Sequence, residues 1–413
     1  MSIAGLRVSD PYQVGERIAY HRRRLGLSQV EFAALIGRSD SWVSQIERGV
    51  RAIDRMSVLQ RVADVLSVSV AELHGDDEAP AEEERPEAFD TIRLALSGHP
   101  AIGIIVGDAR HTASAQMLDK LRRQHARVWD LVHASRYTEL APILAALIPG
   151  LEIITRQGKD EQVRAAALDL LGDTYQATAA IMAKLGETDA AWIAADRAAF
   201  CAENAGEPLG VAASMFRMAH VFLVLGQMDQ AQHVAAAAAQ ALEPRITAEP
   251  APGVLSLYGG LHLVLAVAAA HDNDRSLARL HLDTASEIAE KLGEDRDDYG
   301  TEFGPANVAM HAVSIAVHLG DAGQAIELGQ QVNPASLSPE RQARYYLDLA
   351  QAHTMRRQIG EALHALQEAE RIAPEETHVH AVGRAVSRDL LQLSGLRPRP
   401  ELRELAERFG VLP

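Results

Sequence analysis

The sequence of 413 residues has one cysteine, few aromatic side chains and no long hydrophobic run. The lone Cys201 excludes an intrachain disulfide. Aromatic residues make up 4% of a chain that is 47% hydrophobic, so alanine and leucine supply most of the apolar surface, which favours helices over sheets. The longest uninterrupted apolar run, residues 263–270, is too short to span a bilayer, and no signal-peptide pattern stands at the N-terminus. These absences predict a cytoplasmic all-α protein without membrane contact.

Charge is spread unevenly along a chain whose net charge is −16. Residues 1–75 hold ten arginines against eight acidic residues, whereas residues 76–90 hold eight acidic residues against Arg85. The acidic stretch contains proline and is typical of a flexible linker. An acidic protein is repelled by nucleic acid over most of its surface, so any DNA contact is expected only within residues 1–75.

Helix start and stop signals divide residues 1–75 into five predicted helices, at about 11–25, 28–37, 39–48, 56–66 and 70–73. Asp10 and Pro11 are typical of a first turn. Ser28 and Glu31 have the spacing of a capping box, in which each side chain bonds the backbone N–H of the other residue. Gly37 permits the positive φ that a tight turn requires.

The second and third of these helices carry a specific pattern. Ala33 is small where the two helices approach, and the apolar seam between them is formed by Phe32, Ile36, Val43 and Ile46. The segment resembles the lambda-repressor-like (xenobiotic-response-element) helix-turn-helix domain over about residues 11–75. The resemblance implies a five-helix DNA-binding domain at residues 1–75; a helical hairpin without a role in DNA binding is the alternative.

The resemblance implies that the third helix enters the major groove of a double-stranded DNA operator. The residues on or near its reading face are Ser39, Asp40, Ser41, Ser44 and Gln45. Gln45 has the amide that pairs with adenine, and Asp40 has the carboxylate that accepts from the amino group of cytosine. Gln29 matches the family position that contacts a phosphate and braces the reading helix. The basic residues expected to contact phosphates are Arg22, Arg23, Arg24, Arg38, Arg48 and Arg51, each with a solvated surface role as the alternative.

Residues 91–413 show an internal repeat. Small residues seven apart recur at Ala191/Ala198, Ala231/Ala238, Ala278/Ala285, Ala325/Val332 and Ala362/Ala369. A further small residue stands twelve positions before the first member of each pair, at Ala179, Ala219, Ala266, Val313 and Ala350. The pattern resembles the tetratricopeptide repeat (TPR), although successive anchors lie 37 to 47 residues apart instead of 34. We expect five to six degenerate helix pairs over roughly residues 110–395, stacked as an α-solenoid.

The first helix of each pair lines the concave side of such a solenoid. The resemblance implies that an effector contacts this face, at Gln176, Phe216, Arg217, His220, Asn307, Met310, His311, Ser314, Arg344, Asp348 and Gln351. The Asn307 amide has the donor and acceptor needed to bond the backbone of an extended peptide, and capping of the helix near Pro305 is its alternative role.

The two-part architecture resembles the peptide-pheromone-sensing regulators of Gram-positive bacteria. By that resemblance we expect a quorum-sensing regulator that binds DNA as a homodimer, through its repeats, and senses a peptide or other small molecule. Repeats that bind a partner protein, or that only dimerise, are the alternatives. The sequence lacks a Walker loop, a nucleophile elbow, zinc-ligand spacing and a dinucleotide-binding pattern, so neither an enzyme nor a cofactor is expected. A di-metal site would need the pairs Glu361/His364 and Glu375/His378 on facing helices with two further carboxylates, but each pair stands near a predicted repeat turn, so exposed polar surface is expected.

Overall fold

A computed structural model describes residues 11–51, 53, 56–66, 68, 73, 87–98, 114–395 and 398–412. The chain divides into two compact units, Met1–Glu84 and Arg85–Pro413. The described residues are helical apart from turns and one isolated antiparallel bridge between Arg296 and Phe303. The predicted all-α class is therefore confirmed.

The first unit contains four described helices: α1 (Pro11–Arg24), α2 (Gln29–Ile36), α3 (Asp40–Glu47) and α4 (Met56–Leu66). Their apolar faces meet in one core, in which Phe32, Val43 and Val62 are fully buried. The predicted cap Asp10 and all but Leu73 of the predicted fifth helix lie outside the described residues. Leu73 itself is buried against this core.

Local capping fixes the start of α2 and the turn between α2 and α3. The Ser28 hydroxyl accepts a hydrogen bond from the Glu31 backbone N–H (3.2 Å), and the Glu31 carboxylate accepts one from the Ser28 N–H (2.8 Å). Gly37 has φ +68°, which ends α2, and the Ser39 hydroxyl caps α3 by accepting from the Trp42 N–H. The predicted capping box and glycine turn are confirmed.

The second unit begins with α5 (Glu87–Ser97), α6 (Ala115–His125), α7 (Val128–His133) and α8 (Tyr137–Gln157). Helix α5 starts within the stretch predicted to be a linker to residue 90, because Phe89, Ile92 and Leu96 recur at helical spacing and are buried. Residues 76–86 of that stretch lie outside the described part of the chain.

Five helix pairs follow in sequence. They are α9 and α10 (Glu161–Lys184, Thr188–Ala205), α11 and α12 (Pro208–Val224, Met228–Leu242), α13 and α14 (Pro252–His271, Arg275–Leu292), α15 and α16 (Pro305–His318, Ala322–Gly329), and α17 and α18 (Pro339–Met355, Ile359–Ile372). The unit ends with α19 (Pro374–Val379), α20 (Ala381–Ser394) and α21 (Pro400–Arg408). Every small residue of the predicted repeat is at most 8% exposed, and the first helices contact one another in series. The predicted stack of helix pairs is confirmed.

The two ends of the second unit also touch each other. The Tyr137 hydroxyl at the start of α8 donates to the Glu376 carboxylate on α19. Lys184 Nζ at the end of α9 lies 3.1 Å from Glu340 Oε1 at the start of α17. The series of first helices therefore curves enough to bring its two ends into contact.

Two helices of this unit, α8 and α13, are long and apolar enough by length and composition to cross a membrane. Residues 263–270, the apolar run that is too short to span a bilayer, form the last part of α13, which has 20 residues. Of their most apolar segments, 50% and 78% are buried inside the unit, as in core helices of a soluble protein. We assign them to the core.

Close packing of α1 against α3 depends on Gly15. A Cβ at this position would stand 2.1 Å from the Ile46 carbonyl oxygen, so Gly15→Ala is expected to lower the free energy of unfolding of the first unit by about 1–3 kcal/mol. Thermal unfolding followed by circular dichroism measures the effect. Gly360→Ala is the control, because it also lies in a helix and its new Cβ would meet no atom within 4 Å. Equal melting of the two variants would show that the α1–α3 packing is wrong.

Candidate nucleic-acid interface and inner groove

The prediction that Arg22 contacts a phosphate is wrong, because the side chain is buried. Arg22 is 5% exposed and pairs in bidentate fashion with Glu47 of α3, with Nε–Oε1 and Nη2–Oε2 distances of 2.6 and 2.9 Å. Its third nitrogen donates to the Leu27 carbonyl at 2.6 Å. The guanidinium thus ties α1 to α3 and to the turn before α2, and has no nitrogen left over for DNA.

Gln29 braces the same carboxylate. Its side-chain Nε2 donates to Glu47 Oε2 at 2.8 Å, and the side chain is half-buried. The family position that braces the reading helix therefore has its expected partner on α3, whereas its phosphate contact remains a prediction. Arg23 and Arg24 are partly buried at the end of α1, and Arg24 bonds His21 at 3.2 Å. These two arginines are less accessible than the sequence suggested.

The predicted reading face of α3 is open to solvent at its N-terminal end. Ser39, Asp40 and Ser41 are exposed, and Ser44 and Gln45 are half-exposed on the following turn. Asp40 Oδ1 accepts from the Ser41 N–H at 2.8 Å, so this carboxylate also serves the first turn of its own helix. The opposite side of α3 is buried through Val43 and Ile46, which fixes the direction in which the polar face points.

Three exposed arginines flank this face. Arg38 precedes α3 and stacks over the Trp42 ring at 5.3 Å, which holds the guanidinium beside the start of the helix. Arg48 and Arg51 follow α3, and both are exposed. An exposed polar helix between cationic groups is the arrangement that phosphate contacts and base contacts require.

In the second unit, the sequence-predicted effector face holds a segment of its own chain. We call residues 293–304, between α14 and α15, the inner loop, and the space it fills between α7, α11, α15 and α17 the inner groove. Phe303 of the loop is fully buried, with an aromatic carbon only 2.0 Å from where a Cβ on Gly259 would stand. Gly300 lies flat against the Trp129 ring, where a Cβ would be 2.3 Å away.

Side chains from two helices, α11 and α15, bind the loop through its backbone. Arg217 of α11 donates to the carbonyls of Tyr299 and Gly300, both at 2.8 Å. Asn307 of α15 donates to the carbonyls of Thr301 (3.4 Å) and Glu302 (2.7 Å). Asn307 does not cap α15, whose N-cap is Gly304. The Asn307 amide thus bonds backbone carbonyls of its own chain, in a segment that is tightly turned and not extended. Its contact with an effector peptide remains a prediction.

The acidic side chains of the loop meet buried cations. His133 Nε2 lies 2.8 Å from Asp297, and His133 Nδ1 lies 3.1 Å from Glu302, close enough for an ion pair but without hydrogen-bond geometry. Arg341 Nε of α17 lies 3.3 Å from Glu302 and 3.5 Å from Glu340. Burial lowers the pKa of Arg217 to about 10, which leaves it protonated near neutral pH. The groove is therefore a cationic site neutralised by loop anions.

The other predicted effector residues take three kinds of structural role. Gln176, Ser314, Arg344 and Asp348 bond neighbouring helices, with Gln176 donating to Gly210 and Ser214 and Arg344 lying 2.7 Å from His380. Phe216 and Met310 are buried in apolar clusters. His220 and His311 each bond a carbonyl of their own helix, and burial lowers the pKa of each ring to about 3. Gln351 is half-exposed.

Several groove residues were missed from the sequence: Trp129, His133, Arg341 and the loop residues themselves. Trp129 and His133 precede the recognisable repeats, and Arg341 lies three residues before the predicted Arg344. The run "EDRDDYGTEFG" (residues 294–304) is acidic and contains two aromatic–glycine pairs, which is a signal of a specialised segment.

Two clefts accompany this arrangement. One of about 170 Å³ adjoins the inner loop and is lined by Asp297, Glu302, Asn307 and Arg341 among others. A larger one of about 570 Å³ lies between α8, α9 and α10, next to the buried Cys201 and the Glu152–Tyr175 pair. None of the predicted effector residues lines the larger cleft.

Of the two Glu-x-x-His pairs, Glu361 and His364 are exposed, as predicted, whereas Glu375 and His378 bond neighbouring elements of the second unit. His378 lies 2.9 Å from Glu370, and Glu375 accepts from the backbone and hydroxyl of Thr138. Within the described residues, no group of three His, Cys, Asp or Glu side chains is placed to hold a metal ion.

Comparison with known proteins identifies the first unit. Residues 13–74 match the family model of a helix-turn-helix domain. The chain therefore carries an N-terminal helix-turn-helix domain, a class of domain that binds DNA. A search of curated protein sequences finds no match.

Two solved structures match the chain at low identity and with low TM-scores. PlcR of Bacillus thuringiensis, in complex with the peptide PapR7 and DNA, is 12% identical; the match covers 87% of this chain and 98% of that one, with a TM-score of 0.27. A mutant of PrgX is 9% identical, with 95% and 99% coverage and a TM-score of 0.20. Superpositions this poor carry no functional argument.

Arg22→Ala tests the structural role assigned to Arg22. The change leaves the Glu47 carboxylate buried without its cation, so the free energy of unfolding should fall by about 3–5 kcal/mol. Arg48→Ala removes an exposed arginine and should shift it by no more than about 0.5 kcal/mol. Urea unfolding measures both. Adding Glu47→Gln to Arg22→Ala should recover part of the loss; equal effects of the two arginine variants would contradict the buried pair.

The His133 contacts predict a pH dependence. Burial lowers the pKa of His133, but its pairing with Asp297 and Glu302 outweighs burial and raises the pKa to about 9. The nearby Arg217 and Arg341 remain charged. Because the folded pKa exceeds the ordinary value of 6.5, the stabilisation is complete below pH 6.5 and is lost as pH rises through 9. Urea unfolding between pH 7 and 10 should show this loss in the wild type and a flatter profile in His133→Gln; parallel profiles would contradict the ion pairs.

Proposed function

We propose that this protein is a cytoplasmic, sequence-specific transcription regulator that binds double-stranded DNA as a homodimer and senses a peptide or other small signal through its second unit. The observation that carries the DNA-binding part is the exposed polar face of α3. That face is held in direction by the buried seam and by the Arg22–Glu47 pair, and it lies between the exposed Arg38, Arg48 and Arg51.

The reading face gives the proposal chemical detail. Gln45 offers an amide that bonds adenine in the major groove, and Ser39, Ser41 and Ser44 offer hydroxyls to base edges or phosphates. Asp40 can accept from cytosine with the oxygen that is not bonded to Ser41. Arg38, Arg48 and Arg51 supply the phosphate contacts.

We propose a homodimer because a single reading helix contacts only one half-site of an operator. A single helix-turn-helix unit covers one half-site, and two units bind half-sites about 34 Å apart on a palindromic operator. The second unit is proposed to join the two copies. Analytical ultracentrifugation tests this point directly, since a monomer at the concentrations that saturate DNA would exclude it.

The occupied inner groove favours a second candidate function. If the inner loop never leaves the groove, the second unit binds a partner protein or only dimerises, and the regulator has no small effector. Both candidates share the DNA-binding unit, so the behaviour of the inner loop is what separates them.

Two sets of variants separate phosphate contact from base reading. Arg48→Ala with Arg51→Ala should weaken binding to every duplex and lower the salt dependence of log K by about 2, because each lost phosphate contact removes about 0.9. Gln45→Ala should instead relax preference at one base pair, by about 1–3 kcal/mol. Fluorescence anisotropy on duplexes obtained by in vitro selection measures both.

The control is Arg279→Ala, an exposed arginine of the second unit, which should change neither quantity. If the double arginine variant and Gln45→Ala showed the same loss on all duplexes, the placement of α3 in the major groove would be wrong.

A further inference from the structure

The inner groove binds its loop mainly through groups that every peptide possesses. Carbonyls of four consecutive residues, 299–302, accept hydrogen bonds from Arg217 and Asn307, and Arg341 lies 3.5 Å from the Thr301 carbonyl. These three side chains come from three different first helices. A row of donors directed at successive backbone carbonyls recognises the backbone of a bound segment largely independently of its side chains.

Two further contacts give the site a preference in side chains. The carboxylates of Asp297 and Glu302 are paired with His133 and Arg341, so the groove favours acidic residues spaced five apart. Between them, Gly300 fits against the Trp129 ring, where a side chain would collide. The groove therefore fits an acidic peptide segment with a glycine near its centre.

The loop fits this groove imperfectly. Tyr299 and Glu302 have φ of +56° and +48°, a left-handed conformation that is unfavourable for a residue with a side chain. Arg217 Nε and Asn307 Oδ1 are buried without a hydrogen-bond partner among the described residues. The strain shows that contacts with the groove, and not the preference of the loop itself, hold this conformation. The two unpaired atoms show that the loop leaves part of the binding capacity unused.

We infer that the inner loop is a built-in occupant of a peptide-binding groove, and that an acidic peptide segment of similar chemistry displaces it. This inference rests on the proposed sensing role of the second unit and does not depend on DNA binding. A tethered loop is present at high effective concentration, so an external segment binds only in proportion to the time that the groove is open. Displacement frees the strained loop and gives the groove two distinct states.

The test uses the full chain and a fluorescent peptide of residues 295–303. In one variant, residues 297–302 are replaced by a Gly-Ser segment of equal length. Asp295 is kept because it bonds the Ala306 N–H at 2.9 Å, and Phe303 is kept because it is buried. Fluorescence anisotropy should show that this variant binds the peptide at least about tenfold more tightly than the wild type, since its groove is open. A scrambled peptide should show no gain.

Two further variants keep the test decisive. Gly300→Val places a branched side chain against Trp129 at a residue with φ +64°, so it should release the loop without removing it and give the same gain. Adding Arg217→Gln to the Gly-Ser variant should weaken peptide binding at least about tenfold, whereas adding Arg279→Gln should not. Circular dichroism and thermal unfolding select the variants that are folded.

Folded Gly-Ser or Gly300→Val chains that bind the peptide no better than the wild type would overturn the inference. Equal binding after Arg217→Gln and Arg279→Gln would overturn it as well, because the peptide would then lie outside the groove. DNA binding is measured on the same samples. If the variants bind DNA but not the peptide, only the inference that the inner groove binds a peptide is rejected. If the wild type does not bind DNA, the proposed function is rejected.

Discussion

Burial of positive charge is the constraint on which the second unit depends. The curved series of first helices places Arg217 and Arg341 in the inner groove, where a buried, unpaired cation is strongly unfavourable. The inner loop supplies the compensation, with backbone carbonyls for Arg217 and a carboxylate for Arg341. Glu340 adds a second carboxylate, which pairs with both Arg341 and Lys184. The closure of the helix series and the conformation of the loop thus have one electrostatic cause.

The first unit shows how far local signals reach. Ser28, Glu31 and Gly37 act through neighbours within five residues, so the sequence alone predicted the caps and the turn that orient α3. Arg22 behaves differently because its partner, Glu47, lies 25 residues away. Spacing placed Arg22 beside two other arginines at a helix end, which is typical of a phosphate contact. Only the folded arrangement shows that it is an internal brace.

The second unit divides in the same way. Small residues at fixed spacings are required wherever two helices approach closely, so the anchors such as Ala191 and Ala266 predicted the helix pairs. The position of the inner loop in the groove depends on contacts between residues more than 80 positions apart, such as Arg217 and Gly300. A repeat pattern in the sequence does not reveal such contacts. Asn307 was expected to bond a peptide backbone, yet nothing in its local sequence indicated that it would bond the turned loop just before it.

The central claim is that buried cations hold the inner loop in the groove, and hydrogen exchange of residues 293–304 in the free full-length chain tests it most directly. The account predicts slow exchange of amides in this segment in the wild type, and exchange at least about tenfold faster in Arg217→Gln, with the helices of the second unit unchanged. Rapid exchange of the segment in the wild type, at the rate of an open surface loop, would contradict it.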